Sequence, residues 1–326
     1  MRILQNTKIP FVGIRYYAYA FSAILILAGI IGIAMNGLNW SIDFTSGVAA
    51  KVNLKAVNAS VPPLKIDKLR AVLKSNGYPE AEIQRIGDMD NASFMIKIKS
   101  KTSSSDVSSE TKSNIIAIIK DNLPEYVAGK DMSKDVIEEI YEVGPKVGGE
   151  LRTAALFAVI VSLILMIIYI WFRFELTFGL MAILALFHDV LIIVGIFAIT
   201  GKEITVQIIA ALLTIVGYSI NDTIVIFDRI REDLKIHRKT PVTEVFNSSI
   251  NNTLSRTVIT AGTTLFTALA LFIFGGSVLH DFAFAMCLGI FFGTYSSIFV
   301  ASNLVIDLNK ITHKEKKAMQ NLTKRK

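Results

Sequence analysis

Residues 208–231, IIAALLTIVGYSINDTIVIFDRIR, form an apolar run long enough to cross a bilayer, yet the run carries an aspartate, Asp222, several positions before its charged end. A charge near the centre of a membrane helix costs roughly 2.5 to 3.5 kcal/mol on insertion scales, so a carboxyl there marks a functional site by default. At about 1.5 Å per residue, the distance from Asp222 to Arg229 puts the carboxyl about 10 Å inside the membrane boundary. It must be neutral, paired, or facing a wet cavity. Tyr218 and Ser219 lie one turn earlier on the same face, and Gly217 and Asn221 share a neighbouring face suited to helix packing. Two readings of Asp222 stand side by side: a hydrogen bond to a neighbouring helix, or a role linked to protons or ions.

A second acidic position has similar chemistry. His188 and Asp189 fall in the middle of LALFHDVLIIVG, and imidazole takes up and releases a proton near neutral pH, which is the chemistry of a relay. Adjacent helix positions diverge by about 100°, so the two cannot squarely face one cavity, and helix-to-helix hydrogen bonding is the competing reading. The third feature is NNTLSRTVITAGTTLFTA, where Thr253, Arg256, Thr260, Thr263, Thr264 and Thr267 recur at helical spacing as one polar stripe. Arg256 either snorkels to the headgroups or serves as counter-ion to Asp222. An arginine nearby favours the carboxylate and its withdrawal favours the proton-bearing form, which is the minimum needed to couple proton passage to movement.

These residues need membrane helices to position them, and the composition supplies them. Of 326 residues, 52% are hydrophobic and the mean hydropathy is +0.51, too apolar for a soluble domain of this size. The net charge of +7 sits beside apolar spans and not in a groove motif, so it reads as topology and not as nucleic-acid binding. The single cysteine, Cys287, lies within an apolar span and excludes an intrachain disulfide.

A cytosolic tail (1–16) leads into a first transmembrane helix (17–38), too long for the apolar core of a cleaved signal peptide. Residues 39–150 then read as an α+β domain in the order β-α-β-β-α-β: strands near 48–54, 81–86, 93–98 and 136–143, helices at 64–75 and 109–123, and a serine-rich loop at 100–109. That order suggests a ferredoxin-like sandwich. Five further apolar runs, near 154–172, 176–200, 204–227, 258–274 and 282–305, make a transmembrane region at 151–306, followed by a basic tail at 307–326. Arg229, Arg231, Lys235, Arg238 and Lys239 follow the fourth span, a basic run at 310–326 follows the sixth, and the opposite short loops carry little beyond Lys202. By the positive-inside rule both termini are cytosolic and the 39–150 domain is outside. No signature of metalloproteolysis, nucleotide hydrolysis or serine hydrolysis is present, so neither enzyme activity nor a cofactor or metal is expected. If the protein does work, the membrane potential offers roughly 2.3 kcal/mol per charge per 100 mV.

Several motifs now stand together: SIDFTSG at 41–47, VGPKVGGEL at 143–151, the His188–Asp189 pair, GYSINDTIVIFDRIRE at 217–232 and LSRT at 254–257. In this order, and across essentially the whole chain, they resemble the SecF family of bacterial Sec protein-export subunits, within the RND superfamily. The resemblance implies a six-span half of an RND-type fold that pairs with SecD beside the SecYEG channel, with YajC and YidC as further candidate partners. It implies residence in the inner membrane and use of the proton-motive force to promote late steps in the export of unfolded preproteins, after the SecA ATPase has acted. By position, Asp222 and Arg256 match the family's charged pair for proton passage, with His188 and Asp189 beside them. Asp43, Gly47, Gly144, Pro145, Gly217 and Asn221 fall in its fold motifs. One departure is visible: Ser46 stands where the family usually has a glycine, and a left-handed turn there would strain it. The alternatives are a scaffold that assembles the translocase without conducting protons, and an RND-like exporter of lipids or small molecules.

Overall fold

The computed structural model describes residues 7–58, 60–86, 92–99 and 105–308. Arg2, the basic run at 310–326 and residues 100–104 of the serine-rich stretch, on which parts of the sequence reading rest, lie outside them.

Six helices are long and apolar enough to cross a membrane. The first is α1 (Arg15–Asn36), followed by a four-residue helix, α2 (Ile42–Thr45). The chain then builds β1 (Gly47–Asn53), α3 (Ile66–Ser75), β2 (Glu82–Ile86), β3 (Ser93–Lys99), α4 (Ser105–Asn122), a short α5 (Pro124–Val127) and β4 (Ile137–Val143). The strands form one antiparallel sheet in the order β2-β3-β1-β4, with β1 paired to β3 from Gly47↔Lys99 to Asn53↔Ser93. Val48, Ala50 and Val52 alternate with Phe94, Ile96 and Ile98 on one face of this pair. They close a core with Leu69 and Leu73 of α3 and Ile115 and Ile119 of α4. The serine-rich stretch is only partly loop, because helix α4 begins at Ser105. Serine and aspartate, usual at helix starts, gave no internal sign that these positions were already helical.

Five spans follow: α6 (Pro145–Arg173), α7 (Leu176–Thr200), α8 (Val206–Ile236), α9 (Val242–Phe274) and a sixth built from α10 (Gly276–Tyr295), a π-helical turn (Ser296–Ala301) and helix as far as residue 308. Helix α9 starts well before the apolar run at 258. Its first half buries Val245, Phe246, Ser249, Ile250, Thr253, Leu254 and Thr257, which recur three to four residues apart. Helices α7, α8 and the sixth span form the centre of the bundle, whereas α6 is largely exposed.

Small residues set the closest crossings. A Cβ on Gly195 would lie 2.5 Å from Cα of Gly29, and one on Gly32 would lie 2.5 Å from Ile199, so α1 and α7 meet backbone to backbone. On the other side of the centre, Gly289 and Gly293 give α10 a G-x-x-x-G face: a Cβ on Gly289 would strike Ile215, and one on Gly293 would come within 3.0 Å of Ser219.

Candidate functional site

These crossings bring a buried polar cluster together at the centre of the bundle. Asp189, 1% exposed, lies on α7 where α8 and the sixth span converge. Its Oδ2 accepts hydrogen bonds from Ser219 Oγ at 2.6 Å and Ser296 Oγ at 2.9 Å, and its Oδ1 lies 2.9 Å from His188 Nδ1. His188 Nε2 is 2.8 Å from Ser22 Oγ of α1, the Tyr295 hydroxyl is 3.2 Å from Ser22 Oγ, and that hydroxyl donates to the Ala18 carbonyl at 2.8 Å. In the tautomer that donates Nδ1–H to Asp189, Nε2 accepts from Ser22, and the chain of bonds runs unbroken from α1 to α8. His188 and Asp189 therefore do diverge, one toward α1 and the other toward α8 and the sixth span, yet they curl back far enough to bond each other.

The π-helical turn supplies the other side of this cluster. An extra residue in the turn shifts the backbone register, and such turns recur at functional sites. Here Ser296 reaches Asp189 while Ser297 Oγ lies 2.8 Å from Thr223 Oγ1 of α8 and donates to the Gly293 carbonyl at 2.9 Å. Gly293, by admitting Ser219, lets the α8 hydroxyl reach Asp189. Ser22, Ser296 and Ser297 were invisible as site residues in the sequence, since lone serines are common in membrane helices, and Ser219 was read only as part of the face around Asp222, not as a partner of Asp189. The signal that was available is the G-x-x-x-G immediately before Ser296.

Asp222 lies on α8 between Ser219 and Thr223 but is not part of that network. It is 4% exposed, and its Oδ2 is buried without a hydrogen-bond partner among the described residues. Arg256, on the adjoining α9, is the charged group that acts on Asp222 through space, but no nitrogen of Arg256 comes within 4.0 Å of the carboxylate among the described residues. Arg256 is itself exposed. The threonine stripe beside it is mostly self-contained: Thr253, Thr260, Thr263, Thr264 and Thr267 each donate to the carbonyl four residues back, at 2.9 to 3.2 Å. The Tyr218 and Thr257 hydroxyls are buried with no partner among the described residues. Gly217 and Asn221 form an exposed face of α8.

The motif residues near the sheet have separate tasks. Asp43 Oδ2 lies 3.4 Å from the backbone N–H of Val206, which opens α8, a favourable place for a carboxylate. Gly47 has φ 155, and a Cβ there would lie 2.3 Å from the Ile98 carbonyl oxygen, so no other residue fits. Gly144 is the N-cap of α6 and Pro145 its first residue, where the missing N–H costs nothing. Ser46 has φ 68 and is the one non-glycine with positive φ among the described residues, so the strain expected from its replacement of glycine is present.

A family model described as "Protein export membrane protein SecD/SecF, C-terminal" matches residues 125–311. The protein translocase subunit SecF of Desulfurispirillum indicum is 41% identical over 306 residues, covering 93% of this chain and 92% of that one. The SecF of Vibrio alginolyticus is 42% identical over 309 residues, covering 94% and 92%. The crystal structure of SecDF from Thermus thermophilus superposes with a TM-score of 0.77 at 39% identity, covering 95% of this chain; the chain spans 40% of that longer protein. With the family model matching more than half of its length and close relatives matching nearly all of it, this multi-pass membrane protein belongs to the SecD/SecF family of protein export membrane proteins.

Proposed function

We propose that the chain is the SecF half of a proton-driven SecD–SecF unit that promotes late steps of preprotein export across the inner membrane, with both termini cytosolic and the sheet domain, a ferredoxin-like sandwich, on the periplasmic face of an RND-type six-helix half. The observation that carries this reading is the pair Asp222 and Arg256: a carboxyl buried at membrane depth with an open oxygen, and an exposed guanidinium on the next helix, near but not paired. A buried unpaired carboxylate in a bilayer is costly, so this arrangement suits a proton on Asp222; approach of Arg256 compensates the charge and suits the proton's departure. Proton binding on Asp222 is thereby tied to the position of α9 relative to α8. His188, Asp189 and their serine partners hold α1, α7, α8 and the sixth span in register beside the exchanging group.

The exposed polar residues Asn221 and Arg256 lie at membrane depth, where lipid gives them no partners, and Gly217 beside Asn221 leaves room for a close helix crossing. They suit a surface covered by a second six-helix subunit, and the Thermus thermophilus relative named SecDF, of which this chain matches 39%, carries a matching half fused to more chain. SecYEG, YajC and YidC are the further partners this role implies, with unfolded preproteins as substrate.

The deciding experiment is export of a reporter preprotein in cells whose sole copy carries Asp222→Asn, with membrane abundance and SecD co-purification measured in the same samples. Export falls at least tenfold while the complex stays intact. Normal export with an intact complex would reduce the pair to packing and leave a scaffold role.

A further inference from the structure

Where the sheet meets the membrane bundle, two carboxyls lie side by side next to one lysine. Glu203, in the loop between α7 and α8, is ion-paired through Oε2 with Lys97 of β3. Its other oxygen, Oε1, is buried with no hydrogen-bond partner among the described residues, and Glu203 as a whole is 9% exposed. The group beside it is the Glu82 carboxyl of β2. Two carboxylate oxygens bond each other only through a shared proton, and one proton on Glu203 or Glu82 would give the neighbouring carboxyls that bond.

The surroundings hold both acids in place. Asn39 Nδ2 donates to Glu82 Oε1 at 2.5 Å and to the Gly201 carbonyl at 3.0 Å, and Lys99 Nζ lies 2.5 Å from Asn39 Oδ1 and 3.8 Å from Glu82. Tyr141 of β4 faces Lys97 and Glu203. A cleft of about 390 Å³ opens on the cluster, lined also by Arg70 of α3 and by Lys202, His280 and Asp281, with Lys202 tied to Asp281 at 2.5 Å. The cluster thus bridges β2 and β3 to the bundle, and solvent reaches it.

We propose that Glu203, Glu82 and Lys97 form a proton-operated latch that holds the β2–β3 edge of the sheet against the membrane bundle, closed when the two carboxyls share a proton and loosened when both are charged. This goes beyond the Asp222 reading and does not depend on it. Burial, then the Glu82 carboxyl, push the Glu203 carboxyl up to about 7 against the pull of Lys97. Burial alone lowers the Lys97 ammonium, but Glu203 outweighs it and the net shift is upward, so Lys97 stays charged throughout. The sign follows from linkage. The closed form binds the proton more tightly than a free glutamate at 4.5, so closure is favoured in acid, loses ground as pH rises from 4.5, and has lost the whole contribution above about 7. A gap of that size changes the closure equilibrium by on the order of 100-fold.

The test uses the full chain in nanodiscs, with spin labels at Lys74→Cys and Val278→Cys in a Cys287→Ala background, and reads the distance distribution between pH 5 and pH 8.5. The wild-type sequence gives a narrow distribution in acid and a broader, longer one in base, with the change falling between about 4.5 and 7. Glu203→Gln supplies a permanent amide donor to Glu82, and Glu82→Gln removes the repelling charge; both stay narrow at pH 8. A wild-type distribution that does not change with pH overturns the latch. So does a broadening at pH 8 in either variant that equals the wild type, an outcome that would move the pH response to another group in the cleft such as His280.

Discussion

At the scale of single residues, the two buried aspartates differ in how far their oxygens are used. Asp189 accepts from two serines and meets His188, whereas Asp222 keeps a buried oxygen with no partner among the described residues. A fully bonded carboxylate fixes a geometry and one with a free oxygen is open to proton exchange, so the proposed function assigns positioning to Asp189 and the proton to Asp222. Ser46 offers a test that needs no function. Its φ of 68 and ψ of 157 lie where only glycine sits without strain, at a cost of about 1 to 3 kcal/mol. Ser46→Gly relieves that strain but adds freedom to the unfolded chain, so a net gain of about 1 kcal/mol is expected, read as a rise of a few degrees in melting temperature in detergent. An unchanged or lower melting temperature would mean that the turn tolerates serine. Asp222, Asp189 and His188 were legible in the sequence because charge in an apolar run is expensive. That Ser219 and Ser296 bind Asp189 was not, because a hydroxyl in a membrane helix costs so little that it does not point to a partner. The Ser46 strain was legible only through the resemblance.

At the scale of elements, crossings made by small residues decide which hydroxyls meet which acids. Ser22 meets His188 and Gly29 meets Gly195, seven residues further along both helices, so one parallel register sets both contacts. Since a Cβ on Gly195 would fall 2.5 Å from Gly29 Cα, Gly195→Ala forces the helices apart. The cost is about 1 to 3 kcal/mol, seen as a lower melting temperature and lower membrane abundance, and it loosens the Ser22–His188 bond. Gly262→Ala is the control, because nothing lies within 4 Å of a Cβ there, and it lowers neither readout. Equal effects at the two glycines would show that helix propensity, not the crossing, is being measured. The six apolar runs announced the spans by length alone, but their ends were less visible. Half of α9 precedes its apolar run, and α10 passes into a π-helical turn that no hydropathy pattern encodes.

At the scale of the whole molecule, the sheet is held to the bundle through its backbone in two different ways, besides the Lys97–Glu203 pair. On one side the chain after α1 lies along the loop before α8: Ile204 N–H donates to the Asn39 carbonyl at 2.7 Å and Ser41 N–H to the Ile204 carbonyl at 3.1 Å. On the other side β4 ends at Val143, Gly144 caps α6, and Pro145 begins it, with no linker between strand and membrane helix. A Cβ on Gly148, one turn into α6, would lie only 3.4 to 3.6 Å from the backbone of residues 43–46, so the helix packs close against α2 as well. Helix α6 is mostly exposed, and with no linker after β4 its direct route to the sheet is the strand–helix junction at Gly144. That route passes movement between the membrane and the sheet only while the junction at Gly144 stays rigid. Inserting Gly-Ser-Gly between Val143 and Gly144 leaves the sheet core and the bundle folded, because neither depends on that bond for its packing, yet it uncouples the two. The expected outcome is wild-type abundance and SecD co-purification with preprotein export reduced at least tenfold. Full export from the insertion variant would mean that the sheet acts without being driven through α6, leaving the contacts at Asn39, Glu203 and Ile204 as the route between membrane and sheet.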